Sequence, residues 1–280
     1  METRLEEALR EHLEQVVRDR DPYLASAGHF FVQQYIQHQF AQWGPVEAHT
    51  FEHRGRRHTN WVLHLPGQDP DRPPILVGAH YDAVPGSPGA DDNGTGVAVL
   101  LELARAFSRV APRSPLRLIA FDLEESGLIG SRHYAEDLHQ RNAPLRLMIS
   151  LEMLGYCCHQ PHSQRYPPGL QYLYPSQGNY IAQIGSWTTI PEMVRLWRGF
   201  RSAGVRSQWL PVVQQGRPVP DTRRSDHAPF WDLGYPAILL TDTANLRNPH
   251  YHQPSDTLNT LDLSFLTQVG LGLIQGLRGL

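Results

Sequence analysis

An α/β fold is predicted, built on a mainly parallel sheet covered by helices on both faces. Three observations carry it. Short apolar runs alternate with helix-length segments through most of the chain. The runs 75–79 and 116–121 are almost continuously apolar, as strands buried on both faces must be. No internal repeat, linker or composition break divides the 280 residues, so a single domain over 1–280 is expected.

The elements follow in order. Leu5, Ala8, Leu9, Leu13, Val16 and Val17 recur at helical spacing and predict an amphipathic helix. Ser26 is placed to cap a second helix over 27–43, whose apolar stripe is Phe30, Phe31, Tyr35, Ile36 and Phe40. Segments 46–53 and 58–65 read as strands joined by a hairpin turn centred on Gly55. Pro73 and Pro74 introduce the buried strand 75–79, and a Gly- and Pro-rich loop, 84–90, leads into a strongly apolar helix over 95–110. Strand 116–121, helix 128–138 and strand 145–152 continue the alternation. Residues 155–179, rich in Pro, Gln, Tyr and His, read as long loops, as does the polar stretch 214–224. A helix over 191–203 starts with Pro in its first turn, where the missing N–H costs nothing. Strands over 205–213 and 235–240 and a closing helix over 264–277 complete the chain.

Composition narrows the function. Hydrophobic residues make up 40% and charged residues 19%, an ordinary globular balance. With 25 Lys and Arg against 28 Asp and Glu, the formal charge of −3 argues against a nucleic-acid partner. No apolar run approaches the roughly 18 residues needed to span a bilayer, so no membrane partner is expected. The first 21 residues carry charges throughout and lack the apolar core of a secretory signal. Cys157 and Cys158 are neighbours and cannot form an ordinary structural bridge. A reducing, cytoplasmic setting is therefore expected. The count that asks for an account is 15 His.

Acidic and histidine residues collect at strand ends or in the loops after them, where open α/β sheets bind ligands. Five clusters stand there: His80 with Asp82, Asp91 with Asp92, Glu124 with Glu125, Glu152, and His250 with His252. Each alone has an ordinary reading. His80 can be a hydrogen-bonded strand-end histidine, or a metal ligand whose tautomer Asp82 fixes. Asp91 and Asp92 can be helix caps, although two exceed what one cap requires. Adjacent Glu124 and Glu125 can form an exposed acidic loop, or a pair whose repulsion a cation relieves, one binding metal and one free as a base. Glu152 ends an apolar strand, where an unpaired carboxylate is almost never fully buried. Ser255 or Asp256 beside His252 can cap the next turn. Five such coincidences are hard to sustain, and the N and O donors together suit zinc, with ligands shared if two ions are bound.

The strings GAHYD, GADDNGTGVAVLLELAR, DLEESGLIGS, SLEMLGY, SDHAPFWDLGYPAILLTD and YHQPSDTL, in that order, resemble the M28 family of zinc aminopeptidases from about Pro22 to the C-terminus. The resemblance implies a three-layer α/β/α sandwich around a mixed, mostly parallel sheet, and peptides with a free N-terminus as substrates. It implies His80 as the first histidine ligand, Asp82 as the carboxylate that orients it, and Asp92 as the carboxylate bridging two zinc ions. Glu124 matches the general base, Glu125 the adjacent zinc ligand, Glu152 the ligand to the other zinc, and His252, rather than His250, the last histidine. Asp226 and His227 match a supporting motif. The implied reaction is metal-assisted hydrolysis, with Glu124 moving a proton from water to the leaving amine.

Two competing functions stay open. Glutaminyl cyclases share the implied fold and a similar HYD…EE…H array but use one zinc; the complete GADDNGTG loop and Glu152 favour the hydrolase. A non-catalytic binding module of the same fold would have lost its ligands, whereas all five ligand positions and the base are present. Loops 155–179 and 214–224 are expected to wall the substrate pocket. Trp187, Trp197, Trp209 and Trp231 are candidate pocket residues, with packing the favoured role for Trp197 and Trp231. Cys157 and Cys158 read as small apolar residues rather than soft metal ligands.

Overall fold

The structure, a computed structural model, describes residues 2–280. Eight strands form one sheet: β1 (Val46–His53), β2 (Arg56–Leu65), β3 (Ile75–His80), β4 (Leu116–Phe121), β5 (Leu147–Glu152), β6 (Ile181–Ser186), β7 (Ser207–Val212) and β8 (Ala237–Thr241). Their spatial order is β1-β2-β4-β3-β5-β8-β6-β7. The four central strands, β4, β3, β5 and β8, run parallel, and antiparallel partners flank them on both sides. The sheet is therefore mixed and mostly parallel, as expected.

Strand alternation builds the two cores. Ile75, Val77 and Ala79 of β3 join one apolar cluster, while Leu76 joins the other. In β4, Leu118 and Ala120 face the first, and Ile119 and Phe121 the second. The larger core packs against α1 (Glu2–Val16), α2 (Ser26–Ala41), α3 (Gly96–Arg109), α5 (Ile190–Ser202) and α7 (Leu263–Arg278). The smaller packs against α4 (Ile129–Gln140) and α6 (His227–Asp232). That is the three-layer sandwich. Leu100 and Leu103 of α3 are fully buried and face that larger core, so this helix is apolar because it is central.

Some expectations shift. Ser26 does not cap α2; it is the first helical residue, and no side chain caps that end. Asp21 organises the entry instead, its carboxylate accepting from the N–H of Tyr23 and Leu24. Strand β2 begins at Arg56, because Arg54 and Gly55 alone make the turn, both with positive φ. Strand β6 had no counterpart in the sequence reading. Its polar Gln183 is wholly buried and donates to Ser207 Oγ on β7 at 2.7 Å, so its alternation does not look like that of a core strand. Among the described residues, no helix is long and apolar enough to cross a membrane.

Candidate metal centre

The parallel strands β3, β4 and β5 end side by side, and each delivers its acidic or histidine residue to the same edge. His80 is the last residue of β3 and is fully buried. Its Nδ1 donates to the Asp82 main-chain carbonyl at 3.2 Å, with the Asp82 carboxylate 3.4 Å away. That carboxylate is turned towards the next loop, where its two oxygens accept from the N–H of Glu124 and of Glu125, each at 3.1 Å. Asp82 therefore sets His80 and the Glu124–Glu125 turn together.

The remaining nitrogen, His80 Nε2, lies 3.3 Å from Asp92 Oδ1, 3.5 Å from Glu152 Oε1 and 4.0 Å from Glu124 Oε2. On the other side, His252 Nε2 is 3.1 Å from both Asp92 Oδ2 and Glu125 Oε2. The ligand-type atoms gather into His80, Asp92 and Glu152; His80, Glu124 and Glu125; and Asp92, Glu125 and His252, the atoms of each set lying within 4.8 Å of one another. Asp92 takes part in two of these sets, one oxygen towards each histidine. His250, in contrast, pairs with Ser255 Oγ outside the cluster.

These atoms have no other use. His80 Nε2, Asp92 Oδ2, Glu125 Oε1 and His252 Nε2 are buried without a hydrogen-bond partner, although they crowd one another. Four carboxylates meet here, and among the described residues none forms an ion pair with Lys or Arg. The electrostatics record the imbalance. Burial pushes the Glu124 carboxyl well above the usual range, and Glu152 and Glu125 add to it against the pull of His80. Burial and Asp92 push Glu125 up to about 7. Burial alone would depress His252, but Asp92 and Glu125 raise it to about 10. Carboxylic acids and imidazoles that both hold their protons mark excess negative charge, which a cation relieves. The donor set of imidazole nitrogen and carboxylate oxygen fits zinc.

The supporting residues were less legible. Asp256 reaches across 164 positions in sequence: its carboxylate accepts from the N–H of Asp91 at 2.9 Å and of Asp92 at 3.1 Å. Asp91 is no ligand. Its carboxylate accepts from Gly155 N–H and Asn248 Nδ2, tying the loop after β3 to the loop after β5. Arg20 is wholly buried and donates to the carbonyls of Tyr81, Gly89 and Asp92. Gly89 permits this approach: it has φ +61, and a Cβ there would lie 2.3 Å from the Asp92 carbonyl oxygen. Ser225 Oγ donates to Glu152 Oε2 at 2.8 Å. Asp122, just before the Glu pair, stands between His29 Nε2 at 2.8 Å and His58 Nδ1 at 3.0 Å. That accounts for two of the surplus histidines. An Arg in the connection between α1 and α2 and a lone Asp in a loop carry no local signal for such roles, because their partners come from remote segments.

Asp226 and His227 are both fully buried. His227 Nε2 donates to the Thr222 carbonyl at 2.8 Å, and burial drives its pKa down to about 3, so it is a neutral packing residue. Trp231 is buried in the smaller core and Trp187 is exposed. Cys157 and Cys158 are both free thiols and belong to none of the ligand sets.

Beside the cluster lies a cleft of about 100 Å³, open to solvent, whose walls include residues of both 155–179 and 214–224 together with Glu152 and Tyr251.

Comparison with known proteins adds four likenesses. The sequence model of Peptidase family M28 matches residues 60–276. Aminopeptidase YwaD of Bacillus subtilis is 34% identical over 201 residues, covering 70% of this chain and 38% of that protein. The chain is similar in fold to the Legionella pneumophila LapA aminopeptidase, with a TM-score of 0.73 at 19% identity over 99% of this chain and 74% of the other. It is also similar in fold to a glutaminyl cyclase from an Acidobacteriales bacterium, with a TM-score of 0.70 at 18% identity over 99% and 93%. The chain spans between 38% and 66% of the length of three curated relatives that it matches.

Proposed function

The chain belongs to Peptidase family M28, and on that premise we propose that it is a zinc-dependent aminopeptidase that removes N-terminal residues from peptides, as one domain over 1–280. The observation that carries this reading is Asp92, whose two oxygens face His80 and His252 from the middle of the ligand set. One carboxylate shared in this way suits a pair of ions, and a pair suits hydrolysis better than single-zinc cyclisation.

In this reading His80, Asp92 and Glu152 hold one zinc, and Asp92, Glu125 and His252 hold the other. Zinc bound there supplies Lewis-acid polarisation of a peptide carbonyl and brings the ionisation of water close to neutral pH. The chain's own residues do the rest. Glu124 stands at the edge of both groups, fixed through its N–H by Asp82, and its carboxylate takes the proton of the attacking water. The water oxygen bonds to the carbonyl carbon, the C–N bond breaks, and Glu124 returns the proton to the departing amine. Glu152, held by Ser225, keeps negative charge where the substrate's ammonium group arrives.

The test is hydrolysis of aminoacyl amides by the zinc-replete protein, with an N-acetylated amide and an N-terminal glutamine peptide alongside. Release of the free amino acid from unblocked substrates only is the expected result. Cyclisation of the glutamine peptide without amide hydrolysis would overturn the reading in favour of a cyclase.

A further inference from the structure

A second cavity, of about 310 Å³, contains no residue of the ligand cluster. It is bounded by the segment after β5, the connection between α5 and β7 and the start of α7, and its walls include Cys157, His159, Asn179, Arg206 and Asp262. Its volume lies at the lower end of small-molecule sites, roughly 300–1,000 Å³. Cys157 packs against the larger core, and its Sγ lies 3.6 Å from His159 Nε2. His159 Nδ1 lies in turn 3.2 Å from the Asn179 side-chain amide. Asn179 is only 9% exposed, yet its Oδ1 has no hydrogen-bond partner. A buried amide is ordinarily satisfied at both ends, so this one keeps capacity for a ligand.

Thiol, imidazole and amide in this order are a nucleophile, its base and the group that orients the base. With the amide oxygen accepting from Nδ1–H, Nε2 is left free to take the thiol proton. The thiol needs that help. Burial and Asp262 push Cys157 up to about 11 against the pull of Arg247, with Cys158 and Asp242 adding to the rise. Unaided thiolate is therefore scarce at neutral pH. Cys158 supplies the contrast: it is a free thiol one residue on, and it takes no part in the cavity wall. The wall also selects the reagent. Arg206 offers it a positive charge and Asp262 a negative one, which match the carboxylate and ammonium groups of an amino-acid thiol.

We propose that Cys157 is a site of reversible mixed-disulfide formation with low-molecular-weight disulfides that carry amino and carboxylate groups, with His159 as the base and Asn179 as the residue that positions it. Cys157 passes its proton to His159 Nε2, and its Sγ attacks one sulfur of the reagent. A new S–S bond to Cys157 forms as the reagent's own S–S bond breaks. The second sulfur leaves as a thiolate and takes the proton back from His159. Cys157 is oxidised, and the departing half of the reagent is reduced to a thiol. The other half stays in the cavity until a second thiol reverses the exchange. The adduct stands two residues from Gly155, whose N–H holds Asp91 and whose carbonyl accepts from the Asp262 N–H.

The experiment treats the zinc-loaded protein, freed of excess zinc, with glutathione disulfide and, as an uncharged reagent, with 2-hydroxyethyl disulfide. Adducts are followed by intact mass and located by peptide mapping. The expected result is an adduct on Cys157 that forms at least about 10-fold faster than on Cys158 and is removed by dithiothreitol. Cys158→Ser should react as wild type does, and Cys157→Ser should lose the fast adduct. His159→Ala should slow the reaction by roughly 10-fold or more at neutral pH. Added imidazole should restore part of that rate, and the deficit should close at alkaline pH, where the thiol ionises unaided. Asn179→Ala should show the same pH pattern with a smaller deficit. Arg206→Ala should slow glutathione disulfide and leave 2-hydroxyethyl disulfide unchanged. In the wild type, no adduct, equal labelling of the two cysteines or labelling of Cys158 alone would overturn the proposal, and this measurement needs no variant to fold. A His159→Ala deficit that is the same at every pH and unmoved by imidazole would overturn the assignment of His159 as the base.

Discussion

Asp256 touches no ligand side chain, yet it holds the backbone from which Asp92 projects, so its replacement separates the scaffold from the chemistry. Its two carboxylate oxygens each accept one buried N–H, from Asp91 and Asp92. In Asp256→Ala both donors lose their partner inside a fully buried loop. A buried unsatisfied donor costs about 1–3 kcal/mol, so the pair should cost roughly 2–6 kcal/mol. That is a large fraction of the roughly 5–15 kcal/mol by which a domain is stable. At about 2–4 °C per kcal/mol for a chain of this size, Tm should fall by at least about 4 °C. Asp256→Asn keeps one acceptor but turns an NH₂ towards the other N–H, so it should fall between wild type and Ala. The assay is scanning calorimetry of the metal-free proteins, followed by zinc titration. Because Asp92 loses its fixed position, both variants should also bind zinc more weakly than wild type. A metal-free Tm within 1 °C of wild type together with unchanged zinc affinity would refute the claim that Asp256 builds the Asp92 loop.

Further expectations test the other parts of the site. Glu124→Gln should keep its zinc and lose roughly 10²-fold or more in kcat, whereas Glu125→Gln should lose zinc and recover in part when zinc is added; elemental analysis with kinetics across a zinc titration distinguishes them. Asp122 is pulled down to about 2 because hydrogen bonds from His29 and His58 outweigh its burial. A depressed carboxyl contributes stability that is complete above its unfolded value of about 3.9 and is lost as pH falls through the folded value. Asp122 also holds His29 above its ordinary value, so urea unfolding should show an Asp122→Asn deficit that is complete between about pH 6 and 4.5, narrows towards pH 3 and becomes smaller at alkaline pH. Both thiols are free, so activity should survive a reductant that does not strip metal, checked by assay and zinc content on the same sample.

The legible part of the fold was the part made by local pattern. Strands β3, β4 and β5 are short apolar runs, and α3 is an apolar helix, so their type could be read directly and their bounds to within a few residues. Strand β6 escaped because Gln183 and Gly185 break the apolar run; only the tertiary partner Ser207 makes Gln183 tolerable in the interior. The ligand cluster was legible for a related reason. His80 and Glu152 end their strands and Glu124 and Glu125 follow closely on β4, and parallel strands bring their ends together without further instruction, while Asp92 and His252 arrive on the longer loops after β3 and β8. The choice of His252 over His250 rested on family resemblance, and the structure turns the first to Asp92 and Glu125 and the second to Ser255. Arg20, Asp256 and the His29–Asp122–His58 group were not legible as parts of the site, since each acts across a long sequence separation through backbone groups or buried contacts.

The most direct test of the central claim is a crystal structure of the zinc-replete protein with anomalous data at the zinc edge. Two peaks are expected, one against His80, Asp92 and Glu152 and the other against Asp92, Glu125 and His252, with the Asp92 carboxylate between them. A single peak at full zinc occupancy, or two peaks with Asp92 bound to neither or only one, would contradict the shared-carboxylate site on which the proposed hydrolysis depends.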